Sequence, residues 1–397
     1  MTKKDEQVHY LRLNEITSAE PLRMQVRRRW DELFSPQQEL IQPSEIQHLP
    51  TGIGGAPGTN RDIPIRIYPD GSKIPPFFNL QKIFDSVPKV LTLTASPLMA
   101  DDVVGLLGLA AAYKDQGVKR IILQLTAMAH ERQDHGFDDS TGTPIQEVVT
   151  LAAIARMFAS PYERTDSVGN RSLETVIDAG MTVQAHSDAL SRMVLKFGIP
   201  LLSFDAFDYL ANAANIGYIE DAYVLGPDKG RHMFGRAMAG IYGFPYGSAT
   251  KNRDRLGNGH PTVIIPPDCL ATIQSMGQNG GKVLVFDDEI REGGTMGAIA
   301  DALVGYASSM VIYATKAIFA GKAIANLNKP IIHEIHLTDA VEPVQDISAL
   351  SDRLQWHSLH PELDRLSEYL RFNLSDPNNP GWLSPKETGT LLRLSDE

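Results

Sequence analysis

From Ile63 onward the chain alternates short apolar runs with longer segments of helical periodicity: IPIRIY, KVLTLTA, VVGLLGLAAAYKDQG, RIILQLTAM, IQEVVTLAAIARMFA. The short runs read as strands buried on both faces, and the longer ones, with apolar positions three and four apart, as helices. The pattern continues through MTVQA at Met181 to Ala185, then IPLLSF, DAYVLG, RAMAGIYG, PTVIIP, KVLVFDD, TMGAIADALVGYA, SMVIYATKA and KPIIHEIHLTD. Strands that alternate with helices build parallel βαβ units, so the fold class is α/β with helices flanking parallel sheets. Two such blocks are expected, residues 61–200 and 201–340, joined near Gly198 to Asp205. Residues 1–60 read as an N-terminal extension carrying the basic helical patch MQVRRRWDELF and the loop-like TGIGGAPGTNRD. Residues 341–397 are expected to pack back on the two domains, and LSDPNNPGWLSPKE near their end reads as irregular surface structure.

The length of 397 residues suits two domains of ordinary size. A hydrophobic fraction of 43% and a charged fraction of 21% are those of a folded globular protein. No apolar stretch reaches the roughly 18 residues of a membrane span, and the opening MTKKDEQVHYLRLNE lacks the apolar core of a signal peptide. With Cys269 as the single cysteine, neither an internal disulfide nor a cysteine metal cluster can form. The expected setting is a reducing cytoplasm, without a membrane. The formal net charge of -11 argues against a general nucleic-acid surface. Local cations must then serve small anions, and RRRW reads as a solvated helix face.

The segment KVLVFDDEIREGGTM at Lys282 to Met296 concentrates the candidate chemistry. KVLVF reads as a buried strand, and open parallel sheets bind ligands beyond the carboxyl ends of their strands. Asp287 and Asp288 are therefore expected where a substrate sits. Gly293 and Gly294 permit close backbone approach, Thr295 adds a hydroxyl, and the following helix offers the amides of its first turn to a phosphate. An acidic helix cap is the other reading of the same letters.

In this loop the chain resembles the phosphoribosyltransferase fold, in which a hydrophobic strand and two acidic residues precede Asp-Thr-Gly-Gly-Thr. More narrowly it resembles the ribose-phosphate pyrophosphokinase (PRPP synthetase) family, because further segments match in order. RQD at Arg132 to Asp134 resembles the family's ATP-binding ARQDR, VQAHSDAL with His186 its DLHA, and VLGPDKGR its SPDxGG pyrophosphate loop. KNR at Lys251 to Arg253 resembles the catalytic Lys-x-Arg loop, ATKAIFAGKA resembles ATHxxFSGxA, LTDAVEP resembles TDTIP, and YPDG at Tyr68 to Gly71 resembles FxDGE. The resemblance spans about residues 65 to 345.

It implies two tandem phosphoribosyltransferase-like domains, the first on the ATP side. It also implies Mg²⁺-dependent transfer of the β,γ-pyrophosphoryl group of ATP to the anomeric hydroxyl of a ribose phosphate, releasing AMP. Such chemistry depends on positioning and electrostatic stabilisation. By the resemblance, Lys251 and Arg253 supply positive charge from a mobile loop, with Asp287 a possible general base. Arg132, Gln133, Asp134, Tyr68 and Asp70 bind ATP. Asp287 and Asp288 hold the ribose hydroxyls; Arg291, Glu292, Gly293, Gly294 and Thr295 form the ribose-phosphate loop. Asp228, Lys229, Gly230 and Arg231 form the pyrophosphate loop, and His186 and Asp228 help to hold Mg²⁺. The family assembles as homo-oligomers from dimers to hexamers, in which Tyr68 to Gly71 reach a neighbour's adenine.

The departures concentrate around the sugar and the nucleotide. Arg291-Glu292 replaces the usual Asp-Thr, and a carboxylate about 4 Å from a phosphate costs on the order of a few kcal/mol at an effective dielectric near 20. Arg291 offers a compensating cation. Arg231 stands for a glycine, His135, Asp138 and Asp139 for basic residues, Ser72 for a glutamate and Lys316 for a histidine. The retained Lys251, Arg253, His186, Asp228, Asp287 and Asp288 favour an active enzyme over a non-catalytic regulatory subunit. The altered loop points to ribose 5-phosphate or a 5-substituted acceptor such as ADP-ribose, with a role in nucleotide synthesis or NAD salvage.

Overall fold

A computed structural model describes residues 25, 28–29, 46–50, 66–67, 73–74, 79–84, 86–128, 150–165, 169, 171–186, 189–204, 206–227, 232–252, 262–276, 280–359, 361 and 363. The chain divides into two compact units, unit 1 comprising residues 1–204 and 360–397, and unit 2 residues 205–359.

Unit 1 is built on a parallel sheet of β1 (Ile46–Pro50), β2 (Val90–Ala95), β3 (Arg120–Leu125), β4 (Ala179–Val183) and β5 (Leu201–Phe204), in that spatial order. All residues of β2 and β4 are buried, the burial on both faces that makes parallel strands read as continuous apolar runs. Helix α1 (Ala100–Asp115) buries Val103, Leu106, Leu109, Ala110 and Tyr113, the three-and-four spacing of one helical stripe. Its first turn is held by Asp102, whose Oδ2 accepts from the backbone N–H groups of Leu98 at 3.1 Å and Met99 at 3.0 Å. Helix α2 (Thr150–Phe158) buries Leu151, Ile154, Ala155 and Phe158 by the same rule, and α3 (Ala189–Leu195) lies between β4 and β5 in the chain.

An antiparallel hairpin, Pro161–Thr165 with Arg171–Thr175, interrupts the alternation. It has no apolar run, and side chains tie it down instead. Tyr162 donates to Asp115 Oδ1 at 2.5 Å, and Glu174 accepts from Lys114 at 3.4 Å. Burial and that carboxylate push the Tyr162 hydroxyl up to about 12.

Unit 2 carries helices α4 (Phe207–Ala213), α5 (His232–Tyr242), α6 (Pro267–Ser275), α7 (Gly294–Leu303) and α8 (Ala323–Leu327). They flank a parallel sheet of β6 (Ala222–Gly226), β7 (Tyr246–Ser248), β8 (Lys282–Ile290), β9 (Ser309–Ala317), β10 (Ile332–Thr338) and β11 (Leu354–His357). Its order is β7-β6-β8-β9-β10-β11. The strand period of two divides the core between the faces. Val283, Val285 and Ile312 join the cluster with Ile299 and Leu303 of α7, while Leu284, Phe286, Val311 and Tyr313 join Phe207, Leu210 and Met238. On the second face rings stack from strand to strand: Phe286 on Tyr313 at 4.9 Å, Tyr313 on His336 at 4.9 Å, and His336 on His357 at 5.3 Å. His336 Nδ1 and His357 Nε2 lie 3.0 Å apart, and burial holds both imidazoles below their ordinary pKa.

Candidate active site

The chain leaves β6 in one direction to form β7 and returns to the other side of β6 to form β8. This reversal is a topological switch point, the place where an open α/β sheet leaves a crevice beyond its carboxyl edge. Three sequence-predicted segments leave that edge from neighbouring strands. The first is an antiparallel ribbon, Thr250–Asn252 with Thr262–Ile264, that starts just after β7 and sets Lys251 opposite Val263. Its root is fixed by the Ala249 N–H, which donates to the Gly226 carbonyl at the end of β6 at 2.9 Å. The second is the segment after Gly226 that contains Asp228, Lys229, Gly230 and Arg231. These four lie outside the described residues, as do Arg253, Arg132, Gln133, Asp134, Tyr68, Asp70 and the side chain of Lys251.

The third, after β8, is described throughout. The strand does not stop at Phe286 but runs through both aspartates to Ile290, because β9 extends alongside it and pairs Asp287 with Ala314, Glu289 with Lys316 and Ile290 with Ala317. At Asp288 the ladder is irregular: its N–H donates to Asp287 Oδ1 at 3.0 Å, and its carbonyl accepts from Thr315 Oγ1 at 2.7 Å. Asp287 is half-buried at this edge and Asp288 is 2% exposed.

Gly293 makes the turn into α7 with φ 65, a left-handed conformation that suits glycine. The first helical hydrogen bond runs from the Gly297 N–H to the Gly293 carbonyl at 2.8 Å. The amides of the first turn precede that bond at the helix N-terminus, and Gly293 has no side chain to cap them. Such a turn is suited to an anion. A Cβ at Gly293 would meet Leu327 Cγ at 3.1 Å. Gly293→Ala combines that contact with a left-handed alanine, worth about 1–2 kcal/mol by itself. We expect unit 2 to lose on the order of 2 kcal/mol in urea unfolding, and acceptor binding to weaken with it.

The two unusual loop residues face different neighbours. Arg291 Nε donates to Glu289 Oε1 at 2.9 Å; the Arg291 side chain is 46% exposed and that of Glu289 6%. Glu292 is exposed and lies against Gly321, where a Cβ would come within 3.3 Å of Glu292 Oε1, and its carbonyl accepts from Asn326 Nδ2 at 2.7 Å. The segment after β9 follows this loop closely, with the Phe319 N–H on Ile290 O at 3.1 Å and the Ala320 N–H on Arg291 O at 2.8 Å. Sequence reasoning passed over Glu289. Its signal was the opposite charge of Glu289 and Arg291 two positions apart, where the strand ends and the loop begins.

His186 belongs to unit 1, on the loop after β4, and is half-buried. Two residues before it, Gln184 is 3% exposed with φ 44, and the Ala185 N–H donates to Ser203 Oγ at 3.2 Å. A non-glycine residue held in this region stores backbone strain, a feature that gathers at functional loops.

Among the described residues no group of three or more His, Cys, Asp or Glu is arranged to hold a metal ion, and no helix is long and apolar enough to cross a membrane. Mg²⁺ keeps most of its waters and needs only one or two carboxylates besides phosphate oxygens, so the single half-buried Asp287 at the crevice fits an ion that arrives on a nucleotide.

No protein-family model matches the chain. Among curated proteins it is similar to the ribose-phosphate pyrophosphokinase of Rhizobium meliloti, 26% identical over 216 residues that cover 53% of this chain and 66% of the relative. It is also similar to that of Pyrococcus furiosus, 25% identical over 322 residues that cover 79% of this chain and 99% of the relative. Among solved structures it resembles the phosphoribosylpyrophosphate synthetase of Mycobacterium smegmatis, with a TM-score of 0.56 and 19% identity, covering 78% of this chain and 90% of that one. The shared α/β fold is thus the phosphoribosyltransferase type. With relatives aligned along most of the chain and that fold in common, the protein is similar to the ribose-phosphate pyrophosphokinases and shares their fold.

Proposed function

We propose that this protein is an ATP pyrophosphokinase, moving the β,γ-pyrophosphoryl group of ATP to the anomeric hydroxyl of a ribose phosphate and releasing AMP. The observation that carries the reading is the switch point, where the Lys251 ribbon, the segment bearing Asp228 to Arg231 and the loop from Arg291 to Thr295 leave the carboxyl edges of β7, β6 and β8. Acceptor, pyrophosphate and a catalytic cation are thereby drawn to one crevice.

The acceptor hydroxyl attacks the β-phosphorus in line, the bond to the α-phosphate oxygen breaks, and AMP leaves. Charge builds on phosphoryl oxygens, and Lys251 with Arg253 meets it. Asp287 holds the ribose hydroxyls, and the amides of Gly294 and Thr295 receive the 5-phosphate. Asp228 would help to hold Mg²⁺, which neutralises phosphate charge when bound.

For the acceptor we favour a 5-substituted ribose phosphate such as ADP-ribose, which would place the reaction in NAD salvage. Within the loop Glu289 offsets Arg291, and Glu292 adds a further negative charge. That balance opposes a terminal phosphate dianion and tolerates the singly charged phosphates of a diester or pyrophosphate.

The test is incubation with ATP, Mg²⁺ and either ribose 5-phosphate or ADP-ribose, followed by phosphorus NMR. We expect AMP and a pyrophosphorylated sugar, abolished by EDTA. AMP with ribose 5-phosphate alone removes the ADP-ribose assignment, and AMP with neither supports a non-catalytic regulatory subunit. Arg291→Asp together with Glu292→Thr should shift preference toward ribose 5-phosphate.

A further inference from the structure

Glu289 forms an ion pair with Arg291. Its carboxylate is almost wholly buried, while the guanidinium it holds at 2.9 Å stands half in solvent. Across the ladder its register partner is Lys316, 1% exposed. Residues in register on parallel strands project to one face, so Glu289 has one cation beside it along its own chain and a second one opposite. A carboxylate buried to this degree is retained only with such compensation.

We infer that Glu289 is a positioning residue that converts Arg291 into a fixed clamp for phosphate, and this rests on the acceptor reading given above. An arginine on an exposed turn samples many rotamers and must be ordered whenever a ligand binds. Here the Nε–H is already committed to a buried, immobile oxygen. The two terminal nitrogens remain, with paired donors in one plane, the arrangement that grips two oxygens of a phosphate at once. The ligand class follows from charge. Glu289, Arg291, Glu292 and Lys316 cancel formally, which leaves the partial positive charge of the α7 N-terminus and the directed N–H groups of Arg291 as the attraction. That suits the singly ionised phosphate of a diester or pyrophosphate bridge.

The experiment compares the full-length native chain with Glu289→Ala, Glu289→Gln, Arg291→Ala and the double variant Glu289→Ala/Arg291→Ala. It reads acceptor Kd by calorimetry for ADP-ribose and for ribose 5-phosphate, and KM and kcat for AMP release. Glu289→Ala is expected to weaken ADP-ribose binding about tenfold and to raise the acceptor KM equally, with a much smaller change in kcat or in the KM for ATP. Glu289→Gln keeps an oxygen for the Arg291 Nε–H and should recover most of the loss. Because the clamp acts as one unit, the double variant should bind no worse than Arg291→Ala. A purely structural Glu289 would instead lower stability and move both substrates together. Unchanged ADP-ribose binding in Glu289→Ala, or additive losses in the double variant, would overturn the inference. Should Glu289→Ala not fold, Glu289→Met, of similar length but without an acceptor for the Arg291 Nε–H, takes its place in the same comparison. Glu289-dependent binding without AMP release would refute the transferase reading and leave the clamp standing; AMP release with a Glu289-independent KM would do the reverse.

Discussion

Lys251→Ala is expected to lower kcat for AMP release about a thousandfold, the size of effect seen when a single directed donor is removed from a developing oxyanion. The ribbon that carries it is anchored at Ala249 on the carboxyl end of β6, and the pairing of Lys251 with Val263 fixes its backbone. In the proposed reaction the Lys251 ammonium would meet the phosphoryl oxygens only as charge develops on them. Binding should therefore change little: calorimetric Kd for ATP within a few-fold, kcat and kcat/KM falling together. Lys251→Arg keeps the charge but moves it, and should fall between the two. A kcat loss below about tenfold in Lys251→Ala would mean that the ribbon is not the source of catalytic charge.

Asp178→Ala is expected to destabilise unit 1 by about 3–5 kcal/mol, the usual consequence of leaving half of a buried ion pair behind. Asp178 Oδ2 lies 3.0 Å from the Nζ of Lys114, whose side chain is fully buried, and Arg120 approaches its other oxygen at 3.4 Å. The same carboxylate accepts the Ile121 N–H at 2.7 Å. Alanine removes all three at once, so a buried ammonium keeps Glu174 at 3.4 Å and the Tyr162 ring at 6.0 Å, and a backbone donor in β3 loses its acceptor. Denaturant unfolding of the full chain, followed through the transition of unit 1, measures the loss. Asp178→Asn keeps an acceptor for Ile121 and should lose less. Replacing both partners, Lys114→Met with Asp178→Leu, should recover most of the stability. If the double replacement is as unstable as Asp178→Ala, the cost lies in packing rather than in the stranded charge.

Much of the sheet architecture is legible in the letters because parallel strands are buried on both sides and so appear as unbroken apolar runs. SMVIYATKA coincides with β9, and DAYVLG contains β6. Legibility ends where polar residues stay in a strand. Nothing in KVLVFDDEI shows that β8 continues past Phe286; the neighbour β9 decides it, together with Arg291 and Thr315 bonding to polar groups that would otherwise end the strand. The hairpin from Pro161 to Thr175 has no apolar signature because Lys114 and Asp115, distant in sequence, help to hold it. The turn into α7 was recognisable from Gly293, Gly294 and Thr295, whose smallness and hydroxyl suit an anion. The direction of Arg291 was not, since it depends on a carboxylate two residues earlier that the motif does not include. The backbone strain at Gln184, beside His186, is likewise a tertiary effect without a letter of its own.

The division of the chain has a consequence for its synthesis. Unit 2 is one contiguous stretch, residues 205–359, whereas unit 1 needs residues from both sides of it. Within unit 1 the buried Gln124 of β3 accepts from Thr94 at 2.6 Å, but its amide nitrogen donates to the carbonyl of Leu363, which is itself 3% exposed. On the ribosome, the half of the protein that begins first can be completed only last. Until Leu363 emerges, β3 must wait with a polar group unsatisfied while the later-made sheet has all of its strands.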